Sequence, residues 1–166
     1  MTICPECGSE HSPEDMELTF RRPDDVAVLS DEDRKARVQE NNDLCVLDGK
    51  RFFVRALLPL PVAERDQPYN VGIWVEVSQQ TFERVYELWD EESQTNEPTF
   101  QSEIANNIGI HPQTCGLRGL LSLTGPTTRP EVTLHPASHT LFGEQSRGIS
   151  AHRAAQYSSL YEHGAA

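Results

Sequence analysis

The sequence predicts an α+β fold, a mostly antiparallel sheet of about five strands with helices packed against it. Three observations predict it. Asp48-Gly49 stands between two apolar runs, Cys45-Val46-Leu47 and Arg51-Phe52-Phe53-Val54. That is the strongest short signal for a β-hairpin, because a type I′ turn needs positive φ at both central residues. Residues 71–77, Val-Gly-Ile-Trp-Val-Glu-Val, are nearly continuous in apolar side chains, as in a central strand. Phe82, Val85, Tyr86 and Trp89 recur at i, i+3, i+4 and i+7, the inward stripe of an amphipathic helix. Hairpin-joined strands beside grouped helices are the pattern of an α+β domain, and the strict alternation of a doubly wound sheet is missing. The 166 residues read as one domain, with an N-terminal segment over 1–29 and an α+β body over 30–166.

The chain opens with Cys4-Pro5-Glu6-Cys7-Gly8; Cys45 and Cys115 are its other cysteines. Two cysteines two residues apart, turned by proline and glycine, point both thiolates at one centre, and glycine permits close backbone approach to a metal. The segment reads as a zinc knuckle. His11, four residues after Cys7, can reach the same ion as a third ligand. A structural zinc takes four protein ligands. No second Cys-x-x-Cys is present, so the rest must come from scattered positions. Cys45 is the leading thiolate candidate; His111, Cys115, His135 and His139 are weaker ones. Cys45 reads equally well as a buried inert thiol, and His11 as a surface histidine beside Glu10 and Glu14. A redox dithiol competes for Cys4 and Cys7, but such pairs follow an apolar strand at a helix N-terminus, and no such strand precedes them.

Residues 12–29 hold Pro13 and Pro23 without a clear period and predict a loop or irregular extended segment. Ser30 is an N-cap signal, with Asp31, Glu32 and Asp33 in the turn where the helix dipole favours acids. A short polar helix should run from there to about Glu40. The hairpin follows, its second strand passing through Ala56-Leu57-Leu58 and stopping near Pro59 and Pro61. After the third strand over 71–77, Ser78 caps the amphipathic helix, with Leu88 flanking its stripe. Residues 93–99 predict a polar loop. Phe100, Ile104 and Ile108, at four-residue steps before Gly109, predict a short helix with a glycine stop. Residues 117–124 and 132–134 predict the fourth and fifth strands, and 135–148 an irregular segment. Ser150 caps a last helix that turns Ala154, Tyr157, Leu160 and Tyr161 inward.

Acids outnumber bases 26 to 14, a net charge of −12. That balance opposes binding to a nucleic-acid backbone; only Arg21 and Arg22 form a basic pair near the knuckle. No run approaches the roughly 18 apolar residues of a membrane span, and no secretory signal opens the chain, so the cytoplasm is the expected compartment. The net negative charge falls wholly in the first hundred residues; residues 101–166 carry four acids and four bases. A solvated acidic surface explains this plainly. The functional reading is a docking face for a protein partner of opposite charge.

These residues resemble a bacterial family known as domain of unknown function 2199, over nearly the whole chain. The matching segments are Cys4-Pro-Glu-Cys7-Gly8 with His11, Asp43-Leu-Cys45-Val-Leu-Asp48, and Phe52-Phe53-Val54-Arg55. Further along come Gly72-Ile-Trp74-Val75 with Ser78 and Phe82, Arg129-Pro130, and His139-Thr-Leu141 with Glu144-Gln145 and Gly148-Ile149. The chain has His139-Thr140 where the family pattern leads one to expect His-Pro. The family has no established activity, so the resemblance supports the fold and the ligand candidates and adds no reaction. It directs attention to Asp43, Arg129 and His139, polar residues in loops, where binding residues concentrate. In the plainer reading Asp43 caps a turn, Arg129 pairs with a carboxylate and His139 bonds a backbone carbonyl.

The resulting expectation is a zinc-binding cytoplasmic protein, a non-catalytic interaction or regulatory module with a structural zinc. The alternative is a small zinc-dependent hydrolase. There Cys4, Cys7 and His11 leave a position open for water, and Glu10 or Asp43 acts as base. Against it, the sequence has no HExxH, no HxE paired with PCxxC, and no GxSxG.

Overall fold

In the computed structural model the described part of the chain is residues 16–162, together with the backbone of Thr2–Ile3 (β1) and Glu10–His11 (β2). β1 and β2 pair antiparallel, Thr2 opposite His11. The predicted hairpin joins β4 (Leu44–Leu47) to β5 (Arg51–Leu60). Asp48 and Gly49 take φ of 55° and 65°, the two left-handed residues a type I′ turn requires.

Among the described residues the main sheet has seven strands, where about five were expected. Its other members are β3 (Val38–Glu40), β6 (Tyr69–Val77), β7 (Phe100–Ile104), β8 (Arg118–Ser122) and β9 (Glu131–Leu134), and the order is β3-β4-β5-β6-β7-β8-β9. Neighbours in that order run antiparallel. β9 also meets β5 in parallel, Leu57 opposite Glu131, and this contact closes β5 to β9 into a five-strand barrel. Five helices accompany the sheet among the described residues: α1 (Asp24–Ala27), α2 (Asp31–Arg37), α3 (Gln79–Glu87), α4 (Thr140–Arg147) and α5 (Ala151–Glu162).

The period of two explains the core. Val54, Ala56, Leu58 and Leu60 of β5 stand opposite Val75, Ile73, Val71 and Tyr69 of β6, and all are buried. The other face of this strand pair carries Phe53, Arg55, Gly72 and Trp74. It is covered by the segment before α1: Leu18 and Phe20 are buried, and Trp74 Nε1 donates to Phe20 O at 3.0 Å. Thr19 lies against Gly72 through two backbone hydrogen bonds, Phe20 N–H to Gly72 O and Gly72 N–H to Leu18 O. A Cβ at residue 72 would stand 2.2 Å from Thr19 Oγ1, so only glycine allows this approach.

Several expectations need correction. Residues 100–104 are a strand, not a helix. Phe100, Ser102 and Ile104 lie on the inward face while Gln101 and Glu103 are exposed, and a four-residue step satisfies both periods. Residues 140–147 form α4 where an irregular segment was expected, because the N-cap is His139 rather than one of the usual short polar residues. Residues 92–96 form a 3₁₀ turn around buried Gln94. The expected loop over 12–29 contains α1, and its residues 12–15 lie outside the described part. β5 runs through Pro59: the carbonyl of that residue accepts from Gln145 Nε2 instead of a strand, so the missing N–H breaks no ladder. Of the aromatic stripe on α3, Tyr86 is exposed and Leu88 takes the buried place. The caps at Ser30, Ser78 and Ser150 form as expected, each hydroxyl accepting the N–H three residues on.

Candidate functional site

Cys4 and Cys7 lie outside the described residues, and His11 is described only as backbone in β2. Cys45 sits in β4 with no exposure. Burial, with a lesser push from Glu40, raises its thiol to about 12, while Arg22 acts the other way. It therefore sits as a small core hydrophobe. Among the described residues no three His, Cys, Asp or Glu side chains converge as metal ligands. The weaker candidates explain why. His139 Nδ1 accepts the Leu141 N–H at 3.0 Å and its Nε2 bonds Gln113 O at 3.0 Å, so both nitrogens are engaged. His135 Nε2 bonds Gln101 Oε1. Cys115 is pushed up to about 12 by burial and by Asp24.

The structure brings two of the three loop residues together. Arg129 Nε donates to Asp43 Oδ1 at 3.2 Å, across 86 residues of sequence. The reason lies in the edge of β5. Residues 51–54 of that edge pair with β4, and Leu57 pairs with β9. Between them β4 and β9 part. At the parting, Arg55 N–H donates to Asp43 O and Leu57 N–H to Pro130 O, each at 2.8 Å. Asn41 Oδ1 accepts the N–H groups of Asp43 and Leu44 and fixes the turn that carries Asp43. Thr124 Oγ1 donates to Arg129 O and fixes the loop on the other side.

Arg55 completes this group. Its guanidinium lies 5.7 Å from the centre of the Trp74 ring. Its Nη1 donates to Asn42 O at 3.0 Å and its Nη2 to Thr19 Oγ1 at 3.3 Å, while its Nε is buried without a partner. Burial first, then the positive charges of Arg129 and Arg21, lower its pKa, against Asp43. Sequence reasoning did not single out Arg55, although it stands in one of the resembling segments; it lies in the apolar run that forms β5.

A second polar cluster surrounds His111, whose side chain is fully enclosed. Its Nδ1 lies 2.6 Å from Thr140 Oγ1, and its Nε2 2.7 Å from Tyr157 OH and 3.1 Å from Glu144 Oε1. The Tyr157 hydroxyl donates to Glu144 Oε1, and Arg153 Nε donates to Glu144 Oε2 at 2.8 Å. Arg153 also stacks on Tyr157 at 5.6 Å. Burial alone would raise the Glu144 pKa, but the bonds from His111 and Tyr157 and the charges of His111 and Arg153 outweigh it, and the carboxyl falls to about 2. Tyr157 is shifted upward by burial and by Glu144. A carboxylate with both oxygens filled by donors is a cross-link between α4, α5 and the loop that carries His111. The Glu144-Gln145 pair of the resembling segments was the only signal for it in the sequence.

Of the two clusters, the one at the parting of β4 and β9 has donors to spare, and it gathers residues from three of the resembling segments. No helix among the described residues is long and apolar enough to cross a membrane. No curated protein matches the chain, and no solved structure matches it. One family model does, over residues 3–149, and its description is an uncharacterized protein conserved in bacteria (DUF2199). The chain belongs to that family.

Proposed function

We propose that this chain is a zinc-binding, non-catalytic interaction or regulatory module of the cytoplasm, with a structural zinc held at its N-terminus. The observation that carries the reading is Cys4-Pro5-Glu6-Cys7-Gly8 followed by His11, the spacing and turn chemistry of a metal knuckle. The two cysteines lie in the stretch of sequence between β1 and β2, which pair with each other, and His11 lies on the returning strand. Cys4 and Cys7 supply thiolates and His11 an imidazole. Of the other two cysteines Cys45 is the leading candidate, a ligand only where zinc overcomes the burial that keeps its thiol protonated. The non-catalytic half of the reading is supported by the described polar residues: Asp43 pairs with Arg129, and both ring nitrogens of His139 are bonded. The excess of acids in the first hundred residues suits a basic protein partner.

The test is metal content and coordination of protein purified without added zinc, by elemental analysis and X-ray absorption, together with Cys4→Ser. The expected result is one zinc per chain in a closed shell of sulfur and nitrogen, and a variant that loses the metal and melts at lower temperature. Protein without metal, or a metal-free variant as stable as the parent, overturns the reading. A solvent-derived oxygen in the shell replaces it with the open site of a hydrolase.

A further inference from the structure

We infer that the parting between β4 and β9 is a binding site for an oxyanion, the phosphate or carboxylate group of a small ligand, held by Arg129 and Arg55. The inference stands on residues outside the knuckle and does not depend on zinc.

The first ground is charge. Arg129 pairs with Asp43, and Arg55, whose backbone N–H holds the Asp43 carbonyl, feels the charges of Asp43 and Arg129. In a chain of net charge −12, other arginines are matched: Arg22 by Glu40, Arg37 by Asp48, Arg51 by Asp25 and Glu76, Arg84 by Glu87 and Glu97. At the parting Arg129 and Arg55 share the one carboxylate of Asp43, and a surplus of like charge held close together is unfavourable.

The second ground is hydrogen bonding. Arg129 uses only Nε, on Asp43, and its two terminal nitrogens have no partner among the described residues; its side chain is 38% exposed. A guanidinium presents donors in a planar fork that fits the paired oxygens of a carboxylate or phosphate. Arg55 has an unpartnered Nε as well. The group is therefore short of acceptors, not only of negative charge.

The third ground is rigidity. Arg55 is fixed by Asn42 O, Thr19 Oγ1 and the Trp74 ring, and Thr19 by its bonded neighbours' grip on Gly72. Arg129 is fixed by Asp43 and by the Thr124 bond to its carbonyl. Donors held in place by a scaffold lose little entropy on binding.

The experiment is calorimetric titration of the full chain with inorganic phosphate and, separately, with citrate, at low ionic strength. Saturable binding of phosphate alone assigns a phosphate group, and of citrate alone a carboxylate; either supports the site. Arg129→Gln should weaken that binding at least tenfold, while Asp43→Asn, which frees Arg129 and removes the competing carboxylate, should strengthen it several-fold. Arg118→Gln, an exposed arginine on β8 outside the group, should leave it unchanged. No saturable binding of either anion overturns the inference. So does binding that is indifferent to Arg129→Gln and Asp43→Asn, or equally weakened by Arg118→Gln.

Discussion

The cluster around Glu144 and the cluster around Asp43 each join a carboxylate to arginine, and they differ in balance. Glu144 has Arg153 on one oxygen and His111 and Tyr157 on the other, so its acceptors are filled by neighbours. Asp43 meets one donor of Arg129 while Arg55 and Arg21 add charge it does not neutralise. The closed arrangement ties elements together. The open one has capacity left for something that is not in the chain. Position explains the difference: His111, Glu144 and Tyr157 converge where two helices cover a loop, whereas Asp43 and Arg129 meet at a break along the edge of β5.

The largest effect is expected at Glu144. Glu144→Gln removes the charge that Arg153, His111 and Tyr157 surround, and weakens their charge-assisted hydrogen bonds at a cost of about 2–3 kcal/mol. For a chain of this size that is a fall in melting temperature of roughly 5–10 °C, read by calorimetry. A carboxyl held near 2 when folded, below its ordinary range when unfolded, contributes stability that is complete above that range. The contribution fades as the pH falls from the ordinary carboxylate range towards 2. Melts between pH 7 and pH 2 should therefore show the parent losing stability through that window and Glu144→Gln losing less.

Gly72→Ala comes next. Its Cβ would collide with Thr19, so the covering segment must move, at a cost of about 1–3 kcal/mol. Because Thr19 holds Arg55, this variant should also weaken phosphate or citrate binding, and a titration beside the melt shows both effects. The smallest effect on stability belongs to Arg129→Gln. A half-exposed ion pair contributes at most about 1 kcal/mol, so its melt should lie close to the parent's.

Local signals in the sequence carried the hairpin at Asp48-Gly49, the strand over 71–77 and the serine caps, because turn chemistry and capping act over a few residues. They did not carry β7: Phe100 and Ile104 lie on one face of a helix and on one face of a strand alike, and pairing with β6 and β8 decided between them. They did not carry α4, whose cap is a histidine. The barrel closure rests on one parallel contact between Leu57 and Glu131, a pairing with no local signature. The site was legible in part. Asp43, Arg129 and His139 stood out through the family resemblance, yet nothing in the sequence said that the first two would touch or that His139 would serve as a cap. Arg55 was hidden in an apolar strand, where a charged residue ordinarily points to solvent, and Glu144 in a stretch whose helix the sequence did not announce.

The most direct test of the distinction is a paired thermal-shift measurement: Arg129→Gln and Glu144→Gln, each melted with and without saturating phosphate or citrate, whichever the parent binds. Arg129→Gln should keep the parent's melting temperature and lose the ligand-dependent rise, while Glu144→Gln should melt lower and keep the rise. A ligand-dependent rise that survives Arg129→Gln, or a Glu144→Gln variant as stable as the parent, would contradict the distinction.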